Sequence, residues 1–169
     1  MVIRRVGGVL LVAVIDALGH GTAAAETASV GVAYLEAVSD LSSVGSIVEG
    51  LHGRLHGTRG AAAMICVIRP DGSRMTACSV GNIELRSLLD RIPVMNTPGI
   101  LGSRLRNMRV FEAPLQQGER LVMFSDGVSP SLRASDASGR VGLAACDELM
   151  RQHRRYQDDA TVAVIDVKG

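Results

Sequence analysis

The sequence has no tryptophan, two tyrosines and two phenylalanines, so its core has to be assembled from Val, Leu, Ile, Met and Ala. So few aromatics also leave no platform on which the bases of a single-stranded nucleic acid stack. Neither sign of charge dominates. Lys and Arg number 18 against 17 Asp and Glu, and the net charge of +1 gives no general attraction for nucleic acid or an acidic membrane. No apolar run reaches the length needed to span a bilayer. The three cysteines, Cys66, Cys78 and Cys146, are odd in number and far apart, with no CxxC pair and no zinc-type Cys/His spacing. They read as small buried hydrophobes in a reducing, cytoplasmic setting.

What is present suits one globular domain over residues 1–169, with 47% apolar and 21% charged residues. The N-terminus imitates a secretory signal: Arg4 and Arg5, an apolar run from Val6 to Ile15, then Ala23–Ala25. Gly7 and Gly8 interrupt that run, and Asp16 and His20 separate it from the alanines, so a signal is not expected. Val9–Ile15 reads instead as a buried strand that stops at Asp16. Thr22 is placed to cap a helix running to about Asp40, with Glu26 in its first turn. Residues 42–56 predict a second helix. Ala61–Ile68 and Met75–Val80 predict a hairpin around Asp71–Gly72, and Ile83–Leu89 a further strand. Residues 91–106, rich in Pro, Gly and Asn, read as a surface loop. Met108–Ala113 and Arg120–Ser125 predict strands, residues 139–155 a helix, and Thr161–Val167 a closing strand. Hairpin-linked strands with a few inserted helices define an α+β class with antiparallel sheets.

Three acids stand at strand ends. Asp16 ends the run Val9–Ile15, Asp126 ends Leu121–Ser125, and Asp158 stands just before the closing strand. In an antiparallel sheet the end of one strand lies beside the start of its neighbour, so one sheet edge is able to collect all three. Clustered carboxylates repel each other, and a hard divalent cation such as Mg²⁺ or Mn²⁺ relieves that repulsion. Each acid also has a plain structural reading: Asp126–Gly127 as a turn, Asp158–Asp159 as a solvated link.

An ordered set of motifs adds a resemblance. Asp16–Gly21 (DALGHG), Gly57–Ala62 (GTRGAA), Ser79–Asn82 (SVGN), Pro98–Gly102 (PGILG), Phe124–Val128 (FSDGV) and Asp158–Thr161 (DDAT) together resemble the PPM-type metal-dependent protein phosphatases, in their SpoIIE-like branch. The short chain is most similar to the stressosome phosphatases of that branch. The resemblance implies an α-β-β-α sandwich with metals at one end. It implies that Asp16 bridges two Mn²⁺ or Mg²⁺ ions, that the Ala17 carbonyl binds the second, and that Asp126 and Asp158 complete the first. Asp159 fits as a neighbour of these ligands, and a metal-bound hydroxide would be the nucleophile. The implied substrate is phosphoserine or phosphothreonine on a STAS-domain protein of a stressosome or partner-switching pathway.

Two departures stand out. Ala17 replaces the glycine usual after the first metal Asp. An acid usual on a preceding strand is also missing: Val2–Val6 holds none, and the chain reads as starting too late to include that strand. An active enzyme and a pseudophosphatase that binds the same partner therefore both stay open. Of the remaining candidates, His20 reads as a turn residue, and His52 and His56 as an exposed helix face. Arg59 reads as surface or as a phosphate contact, and Arg151, His153, Arg154 and Arg155 as a basic helix end.

Overall fold

The computed structural model describes residues 1–92 and 94–168. Strands β1 (Val2–Val6) and β2 (Val9–Ala17) form a hairpin, followed by helices α1 (Thr22–Ala37) and α2 (Val44–Arg54). Then come β3 (Ala61–Ile68), β4 (Arg74–Val80) and β5 (Glu84–Ser87). Three short strands, β6 (Asn96–Thr97), β7 (Gly99–Ile100) and β8 (Arg104–Leu105), precede β9 (Val110–Pro114) and β10 (Arg120–Phe124). A 3₁₀ turn (Ala134–Ala137), α3 (Leu143–His153) and β11 (Val162–Asp166) complete the order.

The strands make two main sheets. One runs β1-β2-β3-β4-β6, with β9 also on β4, and the other runs β11-β10-β5. All pairings in both are antiparallel except β4 with β6. β3 shows how the layers stack. It is buried along its whole length, and its residues alternate between two cores, as a pleated strand requires. Ala61, Ala63, Ile65 and Val67 pack beneath α1 and α2 with Leu35 and Leu51. Ala62, Met64, Cys66 and Ile68 pack between the sheets with Met75, Leu121 and Met123. A third core joins the far face of the second sheet to α3 and the 3₁₀ turn through Phe124, Leu132 and Leu149. The result is the α-β-β-α sandwich expected from sequence, built largely from aliphatic side chains.

Four local expectations are corrected. A strand does precede Val9: β1 pairs with β2 from Val6↔Val9 to Val2↔Ala13. Gly7 and Gly8, which had read as breaks in an apolar run, have φ of 55° and 85°. Two consecutive positive φ angles are what a tight two-residue hairpin demands, and glycine takes them without strain. β1 carries no acid. Its Arg4 instead donates to the Leu35 and Val38 carbonyls, both at 2.8 Å, at the C-terminal end of α1. Second, Thr22 is the first helical residue and Gly21 takes the cap position with no side-chain bond, so Glu26 falls outside the first turn. Third, α1 stops at Ala37, and the Asp40 carboxylate accepts from the Ser42 N–H at 2.9 Å in a local turn that competes with helix. Fourth, the presumed loop 91–106 contains β6, β7 and β8. Strands of two residues carry no periodicity from which they can be read.

The second sheet is tied to its covering layer by a buried charge. Arg120, on β10, donates to both carboxylate oxygens of Asp166 on β11, at 2.6 and 3.1 Å, and also to the carbonyls of Ala137 and Arg140. Arg74 and Glu112 form a comparable pair at 3.1 Å, but both side chains are about half exposed. Removing one partner of a buried pair leaves an uncompensated charge, whereas an exposed pair contributes little. Asp166→Ala is expected to cost about 3 kcal/mol in denaturant-measured stability, and Glu112→Ala less than about 1 kcal/mol. Equal losses in the two variants would contradict this assignment.

Candidate metal centre

β2 carries Asp16 at its penultimate position, opposite Ala62 on β3. Ala17 is opposite Ala61, which exchanges hydrogen bonds with Leu101 through both its N–H and its C=O, at 3.1 and 2.9 Å. Ala61 therefore turns its backbone away from β2. By the alternation of an antiparallel ladder, Ala17 turns its own carbonyl to the opposite edge. That edge is bare of β1, whose pairing ends at Ala13. The Ala17 carbonyl is thus free of the β2–β3 ladder, and alanine in place of glycine does not remove it.

The second sheet delivers Asp126 two residues beyond Phe124, the end of β10. The Ser125 N–H donates to the Thr161 carbonyl at 3.1 Å and the Thr161 N–H to the Ser125 hydroxyl at 3.0 Å, which fixes the mouth of the β10–β11 pair. Gly127 allows a close approach there: a Cβ at this position would lie 2.0 Å from the Asp159 carbonyl oxygen. The Asp158–Asp159 link is thereby laid against Asp126–Gly127. Between the sheets, Gly81 abuts Ala62, the ladder partner of Asp16, so that a Cβ on Gly81 would meet the Ala62 Cβ at 2.7 Å. The next residue, Asn82, donates from its side-chain amide to the Asp126 carboxylate. One end of the sandwich thus assembles Asp16, Asn82, Asp126, Asp158 and Asp159 from both sheets.

The electrostatics follow from this crowding. Asp16 is half-buried and its carboxyl is pushed up to about 6, first by burial and then by the charge of Asp126 and a hydrogen bond to its carboxyl, with smaller contributions from Asp158 and Asp159. The Asp16 carboxyl therefore lies against that of Asp126. Asp158 stands off: its carboxylate accepts from the Asp159 N–H at 2.9 Å. Among the described residues no three His, Cys, Asp or Glu side chains close into a complete ligand set. The contact pair does suit a hard divalent ion, because its donors are all oxygen and a cation offsets the repulsion that otherwise requires a proton.

Most of the other candidates fall elsewhere. Exposed His20 follows Gly19, over which the Arg59 guanidinium lies. His52 is a correction: its Nδ1 accepts from the Gly102 N–H at 3.0 Å and anchors the β7–β8 hairpin. The basic end of α3 is divided. Arg151 pairs with Glu148, His153 with Asp136, Arg154 lies over the Tyr156 ring, and Arg155 donates to the Asp126 carbonyl at 3.4 Å. Asn82 is the site residue that sequence reasoning left unassigned. Its signal was the Gly81–Asn82 turn, visible as a motif but without a role until its partner is known.

Comparison with known proteins fits this geometry. The profile of the stage II sporulation protein E (SpoIIE) family matches residues 7–168. The chain belongs to the SpoIIE family. No curated protein sequence matches it. A solved chain from the bacterial stressosome, described as a modular system adapted to control secondary messenger signaling, is 30% identical, with a TM-score of 0.85 over 96% of this chain and 87% of its own. RsbX in complex with magnesium is 23% identical, with a TM-score of 0.81 over 96% of this chain and 83% of RsbX. The PP2C phosphatase domain of SpoIIE from Bacillus subtilis is 18% identical, with a TM-score of 0.68 over 98% of this chain and 57% of that one. This SpoIIE-family chain has the PP2C fold. Among its described residues no helix is long and apolar enough to cross a membrane.

The raised Asp16 carboxyl has a signed consequence. A folded-state pKa of about 6, above the usual 3.8, favours the protonated form. The stability it contributes is present below about pH 4 and is lost as pH rises through about 6. In the presence of a chelator, Asp16→Asn is expected to be more stable than wild type at pH 7.5 and to lose that advantage at pH 4. Denaturant midpoints at the two pH values check this, and a wild type that is the more stable at pH 7.5 would contradict it.

Proposed function

We propose that this chain hydrolyses phosphoserine or phosphothreonine on a regulatory protein, using Mn²⁺ or Mg²⁺ held by Asp16 and Asp126, with Asp158 and the Ala17 carbonyl as further ligands. The observation that carries the reading is the contact between the Asp16 and Asp126 carboxyls, which come from different sheets and meet at one end of the sandwich. A divalent ion bound there supplies Lewis acidity, offsetting charge on the phosphoryl oxygens and making hydroxide available near neutral pH. Water oxygen bonds to phosphorus, the bond from phosphorus to the Ser or Thr oxygen breaks, and the products are the free hydroxyl and inorganic phosphate.

The chain's own residues hold this pair. Asn82 fixes the orientation of the Asp126 carboxylate by hydrogen bonding. The Ser125–Thr161 bonds keep the Asp126 and Asp158 segments in register. A cysteine nucleophile has no support: Cys66 and Cys78 are buried, and burial pushes the Cys66 thiol up to about 12. A phosphorylated STAS-domain protein of a stressosome or partner-switching system is the favoured substrate. Its support is the 30%-identical stressosome chain and the likeness to RsbX.

A second reading has its own observation. β1 brings no acid to the site and leaves β2 after Ala13, so the second metal lacks a carboxylate from that side among the described residues. A binding module without turnover is the alternative that this favours. Hydrolysis of p-nitrophenyl phosphate and of a phosphothreonine peptide with Mn²⁺ separates the two. Wild type is expected to turn over both. Asp126→Asn should lower kcat/KM by at least about 100-fold, and Asn82→Ala by roughly 10-fold, the range for groups that orient a ligand. An unchanged rate in Asp126→Asn sinks the enzymatic reading, and metal-independent binding of the phosphopeptide without hydrolysis selects the module.

A further inference from the structure

The segment that had read as a plain loop forms a basic cleft. β7 and β8 form a hairpin, and between it and the turn that follows lies a cavity of about 520 Å³. Arg104, Arg106 and Arg109 line this cavity, and no Asp or Glu does. All three are exposed, and none of them forms an ion pair among the described residues. Arg74, Arg86, Arg120, Arg140 and Arg151 each have a carboxylate partner. In a molecule whose net charge is only +1, three unpaired arginines facing one cavity concentrate local positive potential there.

The cleft is held in shape and joined to the metal centre. Asn107 takes a φ of 49° and turns the backbone between Arg106 and Arg109. The Arg109 N–H donates to the Thr97 hydroxyl at 2.9 Å, and the Gly81 N–H to the Thr97 carbonyl at 3.0 Å. Thr97 is fully buried. It therefore links the wall of the cleft to the turn whose next residue, Asn82, holds the Asp126 carboxylate. Arginine's planar fork suits carboxylates, and the Thr97 link fixes the cleft relative to the turn that carries Asn82.

We infer that this cleft binds an acidic segment of the phosphoprotein substrate while its phosphorylated residue occupies the metal centre. The identity of that partner rests on the proposed phosphatase reading, whereas the preference for acidic polypeptide rests on the three arginines.

The test compares two synthetic phosphothreonine peptides of equal length, one flanked by Asp and Glu and the other by Gly, Ser and Asn. Fluorescence anisotropy measures their binding to wild type and to the triple variant R104Q/R106Q/R109Q, and p-nitrophenyl phosphate turnover is followed in parallel. Wild type is expected to bind the acidic peptide roughly tenfold more tightly, the size that three exposed charge pairs produce together. This preference should shrink as ionic strength rises. The triple Gln variant should lose it without a change in p-nitrophenyl phosphate turnover, and R104K/R106K/R109K should keep most of it. Equal binding of the two peptides by wild type, or an undiminished preference in the Gln variant, overturns the inference. Absence of p-nitrophenyl phosphate turnover in wild type counts against the phosphatase reading alone, because the peptide preference is read without catalysis.

Discussion

Two carboxyl groups forced into contact organise this molecule. Asp16 closes a strand of one sheet, and Asp126 follows a strand of the other. Their meeting requires the sheets to be stacked face to face with their ends aligned. A protein does not hold such a pair without compensation, since both groups cannot be ionised in a half-buried place at low cost. Burial first, and then the neighbouring Asp126 carboxyl, push the Asp16 carboxyl up to about 6. In the proposed reading a divalent cation supplies the compensation at neutral pH, and metal dependence would follow from the same repulsion.

The surrounding structure serves this contact. The core between the sheets, with Met64, Met75, Leu121 and Met123, sets their separation. Gly81 and Gly127 permit close backbone approaches, one near Ala62 and the other against Asp159, that bring turns from different strands to one edge. Asn82 then links the β4–β5 turn to Asp126. The same β4–β5 turn is joined through Thr97 to the arginine cleft, so the proposed substrate-binding and metal-binding places share a hydrogen-bonded connection. The PP2C fold places these features at one end of a sandwich whose helical layers lie on its outer faces.

Much of this was legible in the sequence, for identifiable reasons. β3 and β10 are apolar runs buried on both faces, and buried strands announce themselves by continuous hydrophobicity. Asp16 and Asp126 were legible because each interrupts such a run abruptly. β1 was missed because Arg4 and Arg5 break its apolar character and the Gly7–Gly8 turn resembled an interruption. β6, β7 and β8 were missed because pairs of residues carry no period. The roles of Asn82 and His52 depend on partners 44 and 50 residues away, a relation that no local pattern encodes. The orientation of Asp158 toward the Asp159 N–H is likewise a matter of three-dimensional placement.

The central claim is that the Asp16–Asp126 pair is the seat of a divalent cation. Calorimetric titration of Mn²⁺ into metal-free protein at pH 7.5 tests it most directly. The account predicts saturable binding by wild type and loss of that heat in both Asp16→Asn and Asp126→Asn, with each variant still folded. Undiminished Mn²⁺ affinity in either variant would contradict it.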